Sequence, residues 1–317
     1  MTFAMVFPGQ GSQSVGMMAG WAEQEPLIKQ TFAEASEALG YDLWQLVQNG
    51  PEEQLNSTDK TQPAMLAAGV ASWRLWCQHG GAMPSVMAGH SLGEYTALVC
   101  AGSIEFRTAI DLVRFRGEAM QSAVPQGQGA MAAILGLEDA DVIATCEAAA
   151  QGEVVQAANF NSPGQVVIAG QKSAVERAIK LLTEKGAKRA LILPVSAPSH
   201  TALMKPAADR LAEKLAGINI KAPTLPIYTV DMKQHRDAAG IRAALYQQLV
   251  GPVRWTQTIR AILDSGIKTI IECGPGKVLT GLNRRIDRNK ELQMLAVEDG
   301  ASLQAALAVT NSISIKG

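Results

Sequence analysis

The segment Gly89-His90-Ser91-Leu92-Gly93 confines this chain more tightly than any other. A Gly-x-Ser-x-Gly pattern is short enough to arise by chance, and alone it could be a glycine-rich turn that happens to hold a serine. Its flanks argue for more. Pro84 to Ala88 reads as a short buried strand, and Glu94 to Ala101 as a helix leaving the turn. A strand that turns directly into a helix brings two backbones together, which leaves no room for a β-carbon at the glycines. Such an elbow lifts the serine hydroxyl above a sheet. It also points the first N–H groups of the helix at any oxyanion formed there.

The rest of the chain supplies the sheet. Thr2 to Phe7 reads as a buried strand ended by Pro8-Gly9-Gln10-Gly11-Ser12. Helices are expected from Pro63 to Cys77 and from Ile104 to Ala123. Strands alternating with helices indicate an α/β fold with a parallel sheet covered on both faces, an α/β-hydrolase-like core. The texture changes at Pro125-Gln126-Gly127-Gln128-Gly129. The following stretch reads strand (130–135), helix (139–150), strand (154–159), turn (161–164), strand (165–169), helix (173–185), strand (188–194). That βαββαβ order predicts an inserted ferredoxin-like subdomain over 126–195, with 1–125 and 196–317 forming the large domain. Beyond it, helices are expected at 203–215 and 252–264 and strands at 225–230 and 268–272. The end from Asn311 to Gly317 reads as loose.

Composition removes several classes of function. With 317 residues, 47% of them hydrophobic, the chain can bury a large core. A net charge of −1 provides no overall field to draw in nucleic acid or an anionic membrane. The four cysteines are scattered and lack metal-ligand spacing, so no metal site, no disulfide framework and a reducing, cytoplasmic setting are expected. The run Thr2 to Phe7 is too short for a signal or membrane segment. Nothing indicates an obligate dimer, so the chain is read as a monomer.

A serine hydroxyl needs a base within hydrogen-bond reach, usually histidine. There are only four to choose from. His79 sits at a helix end beside Gly80-Gly81, where it suits capping. His235 lies in a charge-rich loop. His90 adjoins the serine at a sharp turn, where neighbouring side chains diverge. His200, in Ala197-Pro198-Ser199-His200, remains, and it is either the base or a satisfied structural histidine. No carboxylate between Ser91 and His200 follows a strand end in a loop, as the third member of an ordinary triad would. A Ser-His dyad is therefore expected. Gln10, flanked by Gly9 and Gly11 after the first strand, fits an oxyanion role or a tight turn equally well.

Six segments then form a pattern: Pro8 to Gln13, Gly89 to Tyr95, Arg116-Gly117, Asn159 to Gln165, Pro198 to His200 and Glu272 to Leu279. Their content and order resemble the malonyl-CoA:acyl carrier protein transacylases over nearly the whole chain. The resemblance implies ping-pong transfer of a malonyl group from coenzyme A to the phosphopantetheine thiol of acyl carrier protein, feeding fatty acid synthesis. Ser91 would be the nucleophile and His200 the base. The N–H groups of Gln10 and Leu92 would hold the oxyanion, and the main-chain carbonyl of Gln248 would orient His200. Arg116 would grip the malonyl carboxylate, and His90 would line the acyl pocket. It implies no bound cofactor, since phosphopantetheine is carried by the partner. Lys277, Arg284, Arg285, Arg288 and Lys290 form the densest basic stretch, read as one helix. They are a candidate docking face for an acidic carrier, or a solvated helix face. A serine thioesterase on the same elbow and a polyketide acyltransferase are the rival readings.

Overall fold

The computed structural model describes residues 2–195 and 197–314. Its strands in chain order are β1 (Phe3–Phe7), β2 (Val86–Gly89), β3 (Gly129–Leu135), β4 (Val155–Ser162), β5 (Gln165–Gln171), β6 (Arg189–Ile192), β7 (Ile227–Tyr228), β8 (Thr269–Cys273) and β9 (Gln293–Val297). Five of them form a parallel sheet in the order β7-β2-β1-β8-β9. All five residues of β1 and all five of β8 are buried, as expected of central strands covered by helices on both faces. The chain runs outward from β1 to β2 and β7, then returns to the other side of β1 as β8. The carboxyl ends of the strands around β1 are thus a topological switch point, where open α/β sheets bind ligands.

The remaining four strands form an antiparallel sheet in the order β4-β5-β3-β6, which is the ferredoxin-like arrangement expected for 126–195. Its helices, Asp139–Ala150 and Lys172–Glu184, bury Val142, Cys146, Val175 and Leu182 against the strands, giving this sheet a hydrophobic cluster of its own. The small sheet is stitched through Val253 to the segment between helices Ala238–Val250 and Trp255–Asp264. Val253 N–H donates to Ala158 O, and Phe160 N–H donates to Val253 O, each at 2.8 Å.

That stitch corrects one expectation: the helix read from Pro252 starts only at Trp255, because Val253 is drawn into pairing with β4. The helix read from Pro63 runs from Thr58 to Gln78, with the proline inside it. An internal proline deletes one helical hydrogen bond. The near-complete burial of this helix from Thr61 to Trp73 offsets that cost. The strand read over 225–230 shrinks to β7. There Thr229 Oγ donates to Lys233 O and Asp231 Oδ1, which turns the chain away. The end read as loose is helical from Gly300 to Ser314. Residues 315–317 of that end lie outside the described residues, as does Ser196 at the expected domain boundary.

Candidate active site

The elbow forms as the glycines require. A β-carbon on Gly89 would lie 1.9 Å from the Gly93 carbonyl carbon, and one on Gly93 would lie 2.0 Å from Phe7 O. Neither backbone atom can yield, so any side chain at either position would push the helix Gly93–Cys100 off β1 and β2. Ser91 between them adopts φ 51°, a left-handed conformation that costs a non-glycine residue energy and is held here by its surroundings. Those supports are His90 N–H to Phe7 O at 3.0 Å and Gly93 N–H to His90 O at 2.9 Å. The loop carrying Gln10 lies against the same turn, since a β-carbon on Gly9 would meet His90 O at 2.4 Å. Leu92 caps helix Gly93–Cys100, whose first N–H groups fold back onto the turn, that of Glu94 onto Ser91 O and that of Tyr95 onto Leu92 O. Gln10 and Leu92 therefore flank Ser91 at the carboxyl ends of β1 and β2.

His200 closes the dyad from the other side. It is 5% exposed, and its Nε2 lies 2.8 Å from Ser91 Oγ. Its Nδ1 lies 2.7 Å from the main-chain oxygen of Gln248. A carbonyl can only accept, so Nδ1 carries the proton, Nε2 is the free acceptor, and the Ser91 hydroxyl donates to it. The local sequence explains why that carbonyl is available. Gln248 lies in the last turn of helix Ala238–Val250, and its helical donor would be the N–H of residue 252. Residue 252 is proline, which has none. The orienting group is thus a helix carbonyl orphaned by Pro252, in place of the third acid that the sequence lacks.

Burial pulls His200 down to about 3, helped by the positive charge of Arg116, so the imidazole is neutral at any physiological pH. Arg116 projects from helix Phe106–Ser122 and is 1% exposed. It donates through NH1 to Gln62 Oε1 at 2.8 Å, through NH2 to Gln248 Oε1 at 2.9 Å, and more weakly to Ser91 Oγ at 3.3 Å. No carboxylate among the described residues hydrogen-bonds to it, and its Nε is unpartnered. Two neutral amide oxygens thus hold a buried cation beside the serine. Arg116 is among the most buried side chains present.

The other histidines serve elsewhere. His90 is 2.8 Å from Asn161 Oδ1 and packs edge-on against Trp255, which directs its ring away from the Ser91 hydroxyl toward β4. Burial lowers its basicity too. His79 pairs with Glu25 at 2.7 Å, and His235, read as a solvated loop residue, pairs with Asp231 at 2.8 Å. In the basic stretch only Arg284 and Arg285 belong to helix Val278–Ile286. Arg288 and Lys290 follow its end. Lys277 pairs with Glu298, Arg284 donates to Met294 O at 3.0 Å, and Arg285 donates to Gln165 Oε1 at 2.7 Å.

A cleft of about 250 Å³ leads to His200, walled by Val155, Ala157, Phe160, Val250 and Pro252, with Arg254 on its lining. Among the described residues, no cluster of three His, Cys, Asp or Glu side chains is placed to hold a metal, and no helix is long and apolar enough to cross a membrane.

A serine on a strained elbow, a neutral histidine and a buried guanidinium meet at the carboxyl ends of the central strands, the arrangement of a serine acyltransferase site. Residues 4–299 match the family model described as "Acyl transferase domain", and the chain belongs to that family. It is 59% identical over 306 residues to the malonyl CoA-acyl carrier protein transacylase of Salmonella typhimurium, covering 96% of this chain and 98% of that one. The solved malonyl CoA-acyl carrier protein transacylase of Coxiella burnetii superposes with a TM-score of 0.96 at 51% identity, covering 98% of each chain. A malonyl-transacylase solved in complex with a type II polyketide synthase acyl carrier protein superposes with a TM-score of 0.95 at 57% identity, covering 98% of this chain and all of that one.

Sequence reasoning missed Gln62, Glu94 and Asn161. Gln62 and Asn161 acquire their roles only through contacts with distant elements. Glu94 left a signal: it is the one charged residue in the otherwise uncharged run from Leu92 to Ser103.

Proposed function

We propose that this chain transfers a malonyl group from coenzyme A to the phosphopantetheine thiol of acyl carrier protein through a malonyl-Ser91 ester. Ser91 Oγ attacks the thioester carbonyl while His200 Nε2 takes its proton. The N–H groups of Leu92 and Gln10 hold the oxyanion, and the Gln248 carbonyl keeps His200 in the required tautomer. Collapse expels the coenzyme A thiolate, which recovers the proton from His200. The carrier thiol then gives its own proton to His200 and attacks the ester; collapse expels Ser91 Oγ, which takes that proton from His200, and malonyl-carrier leaves.

The observation that carries this reading is Arg116: a buried guanidinium next to the nucleophile, held by amides and without a carboxylate of its own. Such a group is built to receive a carboxylate from outside, bidentately. The similarity to named malonyl transacylases supports the donor and acceptor. The apolar cleft by Phe160 and Pro252 suits the pantetheine arm. Residues 126–195 serve as the inserted subdomain, with 1–125 and 196–317 as the catalytic body, and His90 braces the wall between them. The four cysteines are free, which fits a cytoplasmic setting and supply to fatty acid synthesis. No cofactor is needed for any step.

Mass spectrometry after brief exposure to malonyl-CoA tests the reading. The expected result is one malonyl adduct on Ser91, absent in Ser91→Ala, that moves to carrier protein on its addition. Release of free malonate instead of malonyl-carrier would identify a hydrolase.

We further propose Lys277, Arg284, Arg285 and Arg288 as the carrier docking face. Arg285 ties this helix to β5 and Arg284 touches β9 only through one main-chain oxygen while staying exposed, so reversal belongs at Arg284 and Arg288. Arg284→Glu with Arg288→Glu should raise the KM for carrier protein about tenfold and leave Ser91 acylation by malonyl-CoA alone. An unchanged KM overturns the assignment.

A further inference from the structure

A buried carboxylate that the proposed mechanism does not use lies beneath the nucleophile. Glu94 sits in the first turn of helix Gly93–Cys100 and is 2% exposed. Its Oε2 accepts from Gln248 Nε2 at 3.0 Å, while its Oε1 has no hydrogen-bond partner. A first-turn acid complements the helix dipole, but that role is filled equally well at a surface and gives no reason to bury the charge.

The geometry supplies another reason. The Gln248 side chain lies between an acceptor and a donor. Its Nε2 donates to Glu94 Oε2 and to Ser91 O, both at 3.0 Å, and its Oε1 accepts from Arg116 NH2 at 2.9 Å. A carboxylate can only accept and a guanidinium can only donate, so the amide has one workable orientation. The reverse would set an NH2 group against Arg116 and an oxygen against Glu94. We infer that Glu94 is a positioning residue for acyl selection, locking the Gln248 amide so that Arg116 is held with donors free for the carboxylate of the incoming acyl group. The inference rests on the role proposed above for Arg116 and names the group that enforces it.

Glu94 also couples that carboxylate to protons. Burial pushes its carboxyl up to about 7; the Gln248 amide, the Arg116 charge and the nearby Val230 N–H oppose the rise, and Asp231 adds to it. Tyr95 is the other titratable neighbour, and burial raises it to about 12, so it stays neutral. When a substrate carboxylate neutralises Arg116, Glu94 loses its compensating cation and gains a negative neighbour. Both changes raise its pKa further, so binding takes up a proton. By linkage, affinity for malonyl-CoA is highest below about 7 and falls as pH rises from there toward the higher pKa of the bound state. Acetyl-CoA brings no carboxylate and does not produce this dependence.

The test compares wild type, Glu94→Gln and Glu94→Leu, measuring KM for malonyl-CoA and for acetyl-CoA in Ser91 acylation across the neutral to alkaline range. In wild type the malonyl KM should climb with pH above about 7 relative to the acetyl KM. Glu94→Gln keeps an acceptor for Gln248 and should retain malonyl selection while losing that pH dependence. Glu94→Leu removes the acceptor and should raise the ratio of malonyl to acetyl KM about tenfold. A folded Glu94→Leu protein with the wild-type ratio overturns the inference, as does a Glu94→Gln protein that keeps the pH dependence; the second result decides the matter even if the leucine variant does not fold. If wild-type enzyme gives no malonyl-Ser91, the transfer mechanism itself fails; if it does and the variants match it, only the role of Glu94 fails.

Discussion

Replacing His200 with alanine is expected to slow acylation of Ser91 by roughly 10⁴–10⁶-fold, the largest effect of any single substitution outside Ser91 itself. Among the described residues the imidazole is the one base hydrogen-bonded to the hydroxyl, at 2.8 Å. His90, the next histidine, is engaged with Asn161. The wild-type pH profile carries an independent signature. A base acts only when unprotonated, so activity falls on the acid side through its pKa. An ordinary histidine would produce that fall near 6.5, whereas His200 is held down to about 3 by burial and by Arg116. With acetyl-CoA as donor, which leaves Arg116 unpaired, acylation should therefore stay level from about pH 8 to about pH 5. A fall centred near 6.5 would mean that the imidazole is not shielded in the way its surroundings indicate. On the proposed role of Arg116, a malonyl carboxylate would neutralise it and the base would strengthen at the moment it is needed.

The reach of sequence reasoning can be read from the same residues. Ser91 was legible because its chemistry and its backbone are local: two glycines, a strand and a helix within about a dozen positions. His200 emerged by elimination, since there are only four histidines. The ferredoxin-like order over 126–195 was legible because its strands and helices are short, strongly patterned and consecutive. The helices over 19–55 and Ala238–Val250 and the edge strand β9 escaped notice. Ala238–Val250 lacks a one-sided apolar stripe, and three of the helices over 19–55 have seven residues or fewer, so they form by packing on neighbours distant in sequence. Gln248 shows the boundary most sharply. That a carbonyl is orphaned four residues before Pro252 follows from the sequence once a helix is known to end there. That the carbonyl meets His200, and that the side chain of the same residue meets Arg116, Ser91 and Glu94, depends on folding alone. Arg116 was singled out only through the resemblance, for the same reason: on a helix of 17 residues with a polar face, nothing local marks which arginine points inward.

Arg116→Ala should invert the preference for the acyl group. The guanidinium costs free energy to bury; Gln62 and Gln248 bind it, and in the proposed function a carboxylate completes its shell. Removing it takes away a charged hydrogen-bond pair of about 1.5–3 kcal/mol, or roughly 10–150-fold in malonyl acylation. It also leaves Gln62 Oε1, Gln248 Oε1 and the malonyl carboxylate buried without donors, so the loss should fall toward the upper end of that range. Acetyl-CoA behaves oppositely. It never used the guanidinium, and loss of the charge beside His200 raises the imidazole pKa toward its ordinary value and so strengthens the base. The two donors, mixed with enzyme in competition and followed as the masses of their Ser91 adducts, give the ratio directly. Wild type should show malonyl almost exclusively; Arg116→Ala should show acetyl gaining on it by two orders of magnitude or more. Arg116→Lys separates charge from shape: it restores a cation but cannot bridge two amide oxygens and a carboxylate at once, so it should recover only part of the preference. If the alanine variant keeps wild-type selectivity, the acyl group is chosen elsewhere in the cleft, and the buried guanidinium serves only to hold Gln248.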